Sequence, residues 1–235
     1  MNKFITAIKE LDLEAVKEIT AKDQKWLRWT DPKGRNALHF LGAVSVGDDS
    51  QKAEASVKII KFLLSRGMDI DSVQHIPEPN CGQFPATPLW YAYTRGRNEK
   101  LYKYLLKQGA NPDNCMWAIA WYDDVDAAKL FIKHGAKLGV NPRLNDLFLG
   151  AFAWRKYRFA EWLLNEGADV NAPGPGGNTA LMFAVKRKEE DTIRMLLRYG
   201  ADPDREGEDG MSARKLAQQK GPKRLARLID DLSRQ

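Results

Sequence analysis

Between residues 176 and 204 the hydrophobic positions follow a helical period, in two short bursts separated by polar residues. The first burst, from Thr179 to Lys188, places Ala180, Leu181, Phe183, Ala184 and Val185 close together. The second, from Asp191 to Tyr199, puts Ile193, Leu196 and Leu197 on one stripe, because residues three and four apart share a helix face. Gly200 follows as a residue able to take the left-handed conformation at a helix C-terminus. Helices of roughly three turns are marginal alone in water, so each of these requires a packed neighbour.

The neighbours are encoded by repetition. The tail LLRYGADPD recurs as LLSRGMDID (63–71), LLKQGANPD (105–113), FIKHGAKLG (131–139) and LLNEGADVN (163–171). The head TALM (179–182) recurs as NALH (36–39), TPLW (87–90) and, weakly, SARK (212–215). A T-P-L-H-like head, two helices and a Leu-Leu-x-x-Gly-Ala tail at a period of about 33 residues resembles the ankyrin-repeat family over almost the whole chain. The resemblance implies an all-α ankyrin-repeat solenoid of stacked helix-turn-helix units with short β-hairpin connections. It divides one repeat domain, 1–235, into an N-terminal cap (1–30), units at 31–71, 72–113, 114–140, 141–171 and 172–204, and a C-terminal cap (205–235).

Departures from the period carry their own expectations. Phe4, Ile5 and Ile8, then Leu13, Val16 and Ile19, predict two helices of a degenerate first unit, the second opened by Asp12 as N-cap. Trp26 and Trp29 are expected to pack under the unit that follows. Ten extra residues between Asn36 and Gly67 fall around SVGDDSQKAE (45–54), which reads as an exposed loop. Eight more fall within residues 72–86, where Pro77, Pro79 and Pro85 forbid a helix and predict a protruding hairpin finger. Only five positions separate Gly109 from Asn114, too few for the usual hairpin. First helices are predicted at CMWAIAWYDD (115–124) and LFLGAFAW (147–154), both apolar nearly all round. The last helix places Leu225, Leu228, Ile229 and Leu232 inside and Lys223, Arg224, Arg227 and Asp231 outside, as a C-terminal cap requires.

Composition narrows the setting. The longest apolar run, Cys115 to Tyr122, is eight residues, far below a membrane span, and Lys9, Glu10 and Asp12 interrupt any signal-peptide core. Two cysteines, Cys81 and Cys115, do not make a disulfide framework, so a reducing, cytoplasmic location is expected. The net charge of +6 is spread over both ends without a cationic block, so nucleic acid is not the expected partner.

Catalytic chemistry finds no purchase in this sequence. His39 stands in the family's head position, where a histidine hydrogen-bonds within the repeat, and His134 lies where a cation favours a helix C-terminus. His75 and Cys81 fall short of the roughly four ligands of a structural metal site. The phosphate-binding, zinc-protease, nucleophile-elbow and Cys-x-x-Cys motifs are absent, GPGG (174–177) lies in a repeat hairpin, and the pairs Asp123-Asp124 and Glu189-Glu190 read as solvated turns. No enzyme activity and no cofactor are expected.

The resemblance implies instead a protein or peptide partner bound in the concave groove, at hairpin tips and the exposed edges of first helices. Those edges are the pairs Thr94-Arg95, Trp121-Tyr122, Ala153-Trp154 and Lys186-Arg187, joined by the residues preceding each head, Arg35, Ala86 and Asn178. The expected site therefore comprises Arg35, Arg95, Trp121, Tyr122, Trp154, Lys186 and Arg187: an aromatic centre with basic flanks, suited to apolar anchors beside Asp or Glu. Such a surface fits a monomeric adaptor, inhibitor or toxin-neutralising protein. The alternative is a structural or self-associating protein whose aromatic groove is covered, by the 72–86 finger, by closed-up units or by a second copy.

Overall fold

The computed structural model describes residues 2–78, 82–138 and 144–232. Its helices fall in pairs: α1 (Lys3–Lys9) with α2 (Leu13–Lys22), α3 (Ala37–Gly42) with α4 (Ser50–Ser65), α5 (Pro88–Thr94) with α6 (Glu99–Lys107), and α7 (Met116–Trp121) with α8 (Val125–Lys133). The series continues with α9 (Leu144–Ala153) and α10 (Tyr157–Asn165), α11 (Ala180–Arg187) and α12 (Glu190–Arg198), and α13 (Ala213–Lys220) and α14 (Lys223–Leu232). Two compact units emerge, Met1–Ala118 with Lys129–Ala136, and Ile119–Ala128 with Lys137–Gln235.

Local chemistry explains where the helices start. The head residues are N-caps: the side chains of Asn36, Thr87, Thr179 and Ser212 accept from the amides of Leu38, Trp90, Met182 and Lys215. Asp12, Asp49 and Asn98 do the same for second helices. Asn98 is fully buried, and its amide also donates to the Ser56 hydroxyl at 2.7 Å, tying α6 to α4.

The second helices end alike. At Gly67, Gly109, Gly135, Gly167 and Gly200 φ lies between +81° and +101°. In each case the glycine amide donates three residues back and the next amide five residues back, as in Gly200 to Leu197 and Ala201 to Leu196. These are Schellman motifs, in which a left-handed residue lets orphan carbonyls be satisfied. First helices α1, α7, α9 and α11 close with the same pair of bonds, but the left-handed residue is Leu11, Asp123, Arg155 or Lys188.

In the first unit Phe4, Ile8, Leu38, Leu41, Ile59, Leu63, Leu89 and Leu105 are buried. Gly42 permits the close approach of α3 to α5, since a Cβ there would stand 2.8 Å from the Pro88 carbonyl. Trp26 and Trp29 pack as expected, in a row running Phe4, Trp26, Trp29, Phe40 with centroid separations of 5.8, 6.3 and 6.5 Å. In the second unit Phe148, Phe152, Phe159, Leu163, Leu181, Ile193 and Leu196 form the core. There α14 buries Leu225, Leu228 and Ile229 and exposes its expected charged face.

The 45–54 stretch is not wholly a loop. Asp49 caps a helix beginning at Ser50, so the insertion lengthens α4 to 16 residues and buries Val46. A polar run beginning with an N-cap and continuing through Gln, Lys, Ala and Glu is a helix start, and tertiary contact at Ser56 extends it inward. The finger is the expected hairpin: β1 (Gln74–Glu78) pairs antiparallel with β2 (Gly82–Ala86), His75 opposite Pro85. Residues 79–81, including Pro79 and Cys81, and the opening of the expected unit at 141–143 lie outside the described residues. The helix expected at 147–154 starts earlier, at Leu144.

Candidate partner-binding surface

Trp121 and Tyr122 end α7 because Asp123, in the left-handed conformation (φ 57°), turns the chain toward α8. One repeat later Trp154 ends α9 just before Arg155 (φ 59°). Both turns lie in the second unit, and they bring the two indoles edge to face with centroids 5.1 Å apart and planes 75° apart. The rings remain open to solvent, Trp121 at 52% and Trp154 at 37% exposure, with Tyr122 at 40% beside them. Lys156 sets its ammonium 5.4 Å from the Trp121 ring centre. An offset aromatic pair of this kind is a rigid apolar platform, and the cation adds an electrostatic handle at its margin.

The basic flank is engaged internally. The Arg187 guanidinium donates to the carbonyls of Phe152 (3.2 Å), which also accepts from the Arg155 amide, and Ala153 (3.1 Å), at the end of α9 immediately before Trp154. Lys186 donates to Asn178 Oδ1 at 2.6 Å. In the first unit, Arg35 grips Asp31 through Nε (2.8 Å) and Nη2 (2.7 Å) and lies 4.5 Å from the Phe40 ring centre. Burial works against the charge on Asp31, but the Arg35 amide and guanidinium outweigh it and hold the carboxyl below its usual range. Arg95 lies 5.8 Å from the Trp90 ring centre. Ala86, expected on the groove edge, is fully buried, because its carbonyl accepts from His39 Nε2 at 3.3 Å.

The acidic pairs are not merely solvated turns. Asp123 accepts from the Phe159 amide at 2.7 Å, crossing to the start of α10, and Asp124 accepts from the Ala127 amide at 3.0 Å as cap of α8. Glu189 accepts from the Tyr157 hydroxyl and stands 3.3 Å from Arg155. Burial, then the bond to Glu189, raises the Tyr157 hydroxyl above its ordinary range. Sequence periodicity gave no sign of Lys156 or of the partners of Asp123 and Glu189, which lie in neighbouring repeats.

Among the described residues no cluster of three His, Cys, Asp or Glu could hold a metal ion, and no helix is long and apolar enough to cross a membrane. Burial, then the Asp113 charge, raises the Cys115 thiol well above its normal range, so that group is inert as a nucleophile.

The geometry is that of a helical repeat protein. Two family models match it: one described as ankyrin repeats (three copies), at residues 115–207 and 147–230, and one described as ankyrin repeat, at 86–116. The chain belongs to the ankyrin-repeat family. Similar relatives include a putative ankyrin repeat-containing protein of Treponema pallidum (strain Nichols), 47% identical over 25% of this chain and 20% of that protein. The mitochondrial disaggregase of Homo sapiens is 46% identical over 25% of this chain and 8% of that protein. The chain thus spans a fifth or less of the length of these relatives. Among solved structures, the ankyrin repeat domain of human ASB11 superposes with TM-score 0.67 at 19% identity, covering 99% of this chain and 98% of that one. That of Bcl-3 does so with 0.70 at 16%, covering 98% of each. At these identities the likeness is one of fold. Ankyrin repeats are protein–protein interaction modules, and the fold is typically non-enzymatic.

Proposed function

We propose that this protein binds another protein or peptide through the ends of its first helices, with the Trp121–Trp154 pair as the central contact. The observation that carries this reading is the exposure of two packed indoles, at 52% and 37%, with Tyr122 exposed beside them. Indoles and tyrosines supply large contact area at low entropic cost and dominate binding hot spots. Lys156 selects an apolar anchor flanked by Asp or Glu. Arg187 contributes by holding the helix end that carries Trp154, which makes it a positioning residue. The role that follows is that of an adaptor or an inhibitor, including a toxin-neutralising one, exercised in the groove that ankyrin repeats line.

The test is affinity capture from native extract, with binding then quantified on the purified partner. Trp121→Ala with Trp154→Ala should weaken binding by about 30-fold or more, as loss of hot-spot side chains does. Equal binding by a still-folded double variant would move the site elsewhere. The second reading, self-association through the same rings, is favoured by the same exposed patch. It would show as a wild-type dimer, in size-exclusion chromatography with light scattering, that the double variant converts to monomer.

A further inference from the structure

A cavity of about 570 Å³ lies in the first unit, far from any residue of the proposed partner platform in sequence, where the repeat pattern breaks. In five repeats the second helix ends in a left-handed glycine just after the C-cap; after α2 the C-cap Asp23 is itself extended (φ −152°) and Gln24 stands in the glycine's place. Instead of a Schellman turn, the chain forms a 3-10 turn, Gln24–Leu27, capped by the Asp23 carboxylate. This turn brings Lys25, Arg28 and Trp29 to face Arg66, Gly67 and Met68 at the end of α4.

The lining has two characters. Lys25, Arg28 and Arg66 are cationic, and no carboxylate lines the cavity. Asp23 holds Lys25 at 2.7 Å, whereas neither Arg28 nor Arg66 has an ion-pair or hydrogen-bond partner for its guanidinium among the described residues. The α4 carbonyls of Phe62, Leu63 and Leu64 are already taken by the amides of Arg66, Gly67 and Met68, so the helix end leaves those acceptors occupied. Leu27, Trp29 and Met68 supply apolar wall. The Trp29 ring is held in place between Trp26 and Phe40.

We propose that this cavity binds a phosphate monoester with a flat apolar body, the phosphate between Arg28 and Arg66 and the body against Trp29, Leu27 and Met68. Guanidinium forks match phosphate oxygens bidentately, and a group of charge near −2 answers two free guanidinium groups better than a carboxylate does. The volume lies within the range of about 300–1,000 Å³ typical of small-ligand sites. Such chemistry has two sources, a phosphorylated aromatic side chain or a free aromatic or nucleoside phosphate.

Isothermal titration calorimetry of the full chain with phenyl phosphate tests the proposal. Phenyl phosphate should bind at least about tenfold more tightly than inorganic phosphate or phenol, since each lacks half of the recognition. Arg28→Gln with Arg66→Gln should weaken it by about tenfold or more at unchanged circular dichroism, because both residues are exposed. Trp121→Ala with Trp154→Ala should leave it unchanged, which separates this site from the partner platform. Titration with a phosphotyrosine peptide and with adenosine monophosphate then assigns the source, and binding of either supports the cavity. Absence of heat with every probe at millimolar concentration, or equal binding by the double arginine variant, overturns it.

Discussion

Among the described residues, the five non-glycine positions with positive φ show how single side chains set the turns of this protein. Left-handed backbone costs an L-residue roughly 1–2 kcal/mol, part of which glycine's extra unfolded-state entropy offsets. Lys188 (φ 60°) is exposed at the end of α11. Lys188→Gly should therefore raise stability by about 0.5–1 kcal/mol, read as a higher urea midpoint with an unchanged slope. Asp123→Gly should do the opposite despite the same geometry, because it removes the acceptor at 2.7 Å from the Phe159 amide. His39 makes a second prediction. It is buried, its Nδ1 accepts from the Asn36 amide at 3.1 Å, and Nε2 reaches the Ala86 carbonyl. Burial pushes its pKa below the ordinary value, and the nearby Arg35 charge adds to this against the opposing pull of the backbone acceptors and Asp31. A depressed histidine pKa means that the unfolded chain binds the proton more readily. Stability is thus fully present above about pH 6.5 and falls as pH drops through that value. Thermal unfolding between pH 7.5 and 5 should show this decline, and His39→Asn should flatten it; carboxylates such as Asp31 titrate below that window.

Helix ends decide the second layer of organisation, and Arg187 is the clearest case. It bridges α11 to the last carbonyls of α9, and its planar fork serves two acceptors at once. Arg187→Ala should destabilise the protein by about 1–2 kcal/mol in denaturant unfolding. Arg187→Lys should recover less than half of that, since an ammonium cannot span both carbonyls; full recovery would mean that charge alone matters. Helices and tails were legible in the sequence because Leu-Leu-x-x-Gly combines a packing stripe with a residue that only one turn geometry favours. The heads were legible as a recurring motif, and their threonines and Asn36 prove to be N-caps. The ends of first helices were not, since Leu11, Asp123, Arg155 and Lys188 take the left-handed conformation under tertiary constraint that no local propensity announces. Residues 50–54 were misread because a polar helix start and a polar loop have the same composition, and only the packing of Ser56 and Ile59 distinguishes them. The positions of the aromatic and basic edges follow from register, but the internal partners of Lys186 and Arg187 do not: a sequence shows where an arginine sits along the chain but not which carbonyls it meets.

Across the whole chain, the net charge of +6 suggests a protein that meets its partner electrostatically, but the disposition of its cations argues otherwise. Around the aromatic platform Arg187 serves backbone carbonyls, Lys186 serves Asn178, Arg155 stands by Glu189, and Lys156 lies over the indole. Elsewhere Lys17, Lys22, Lys100, Lys103 and Arg214 are matched with carboxylates. Exposed pairs of this kind contribute little stability, and the cations nearest the indoles are already engaged within the chain. Partner affinity should therefore rest on apolar contact and respond weakly to salt. Raising ionic strength from about 0.05 to 0.2 M should weaken binding by less than about threefold, mostly through the association rate. A nucleic acid gripped by several phosphate contacts would lose on the order of a thousandfold over the same range. Surface plasmon resonance with the captured partner across that salt series separates the two: a steep loss would relocate recognition from the Trp121–Trp154 pair to the distributed basic surface, and a shallow one, abolished by the double tryptophan variant, would keep it on the indoles.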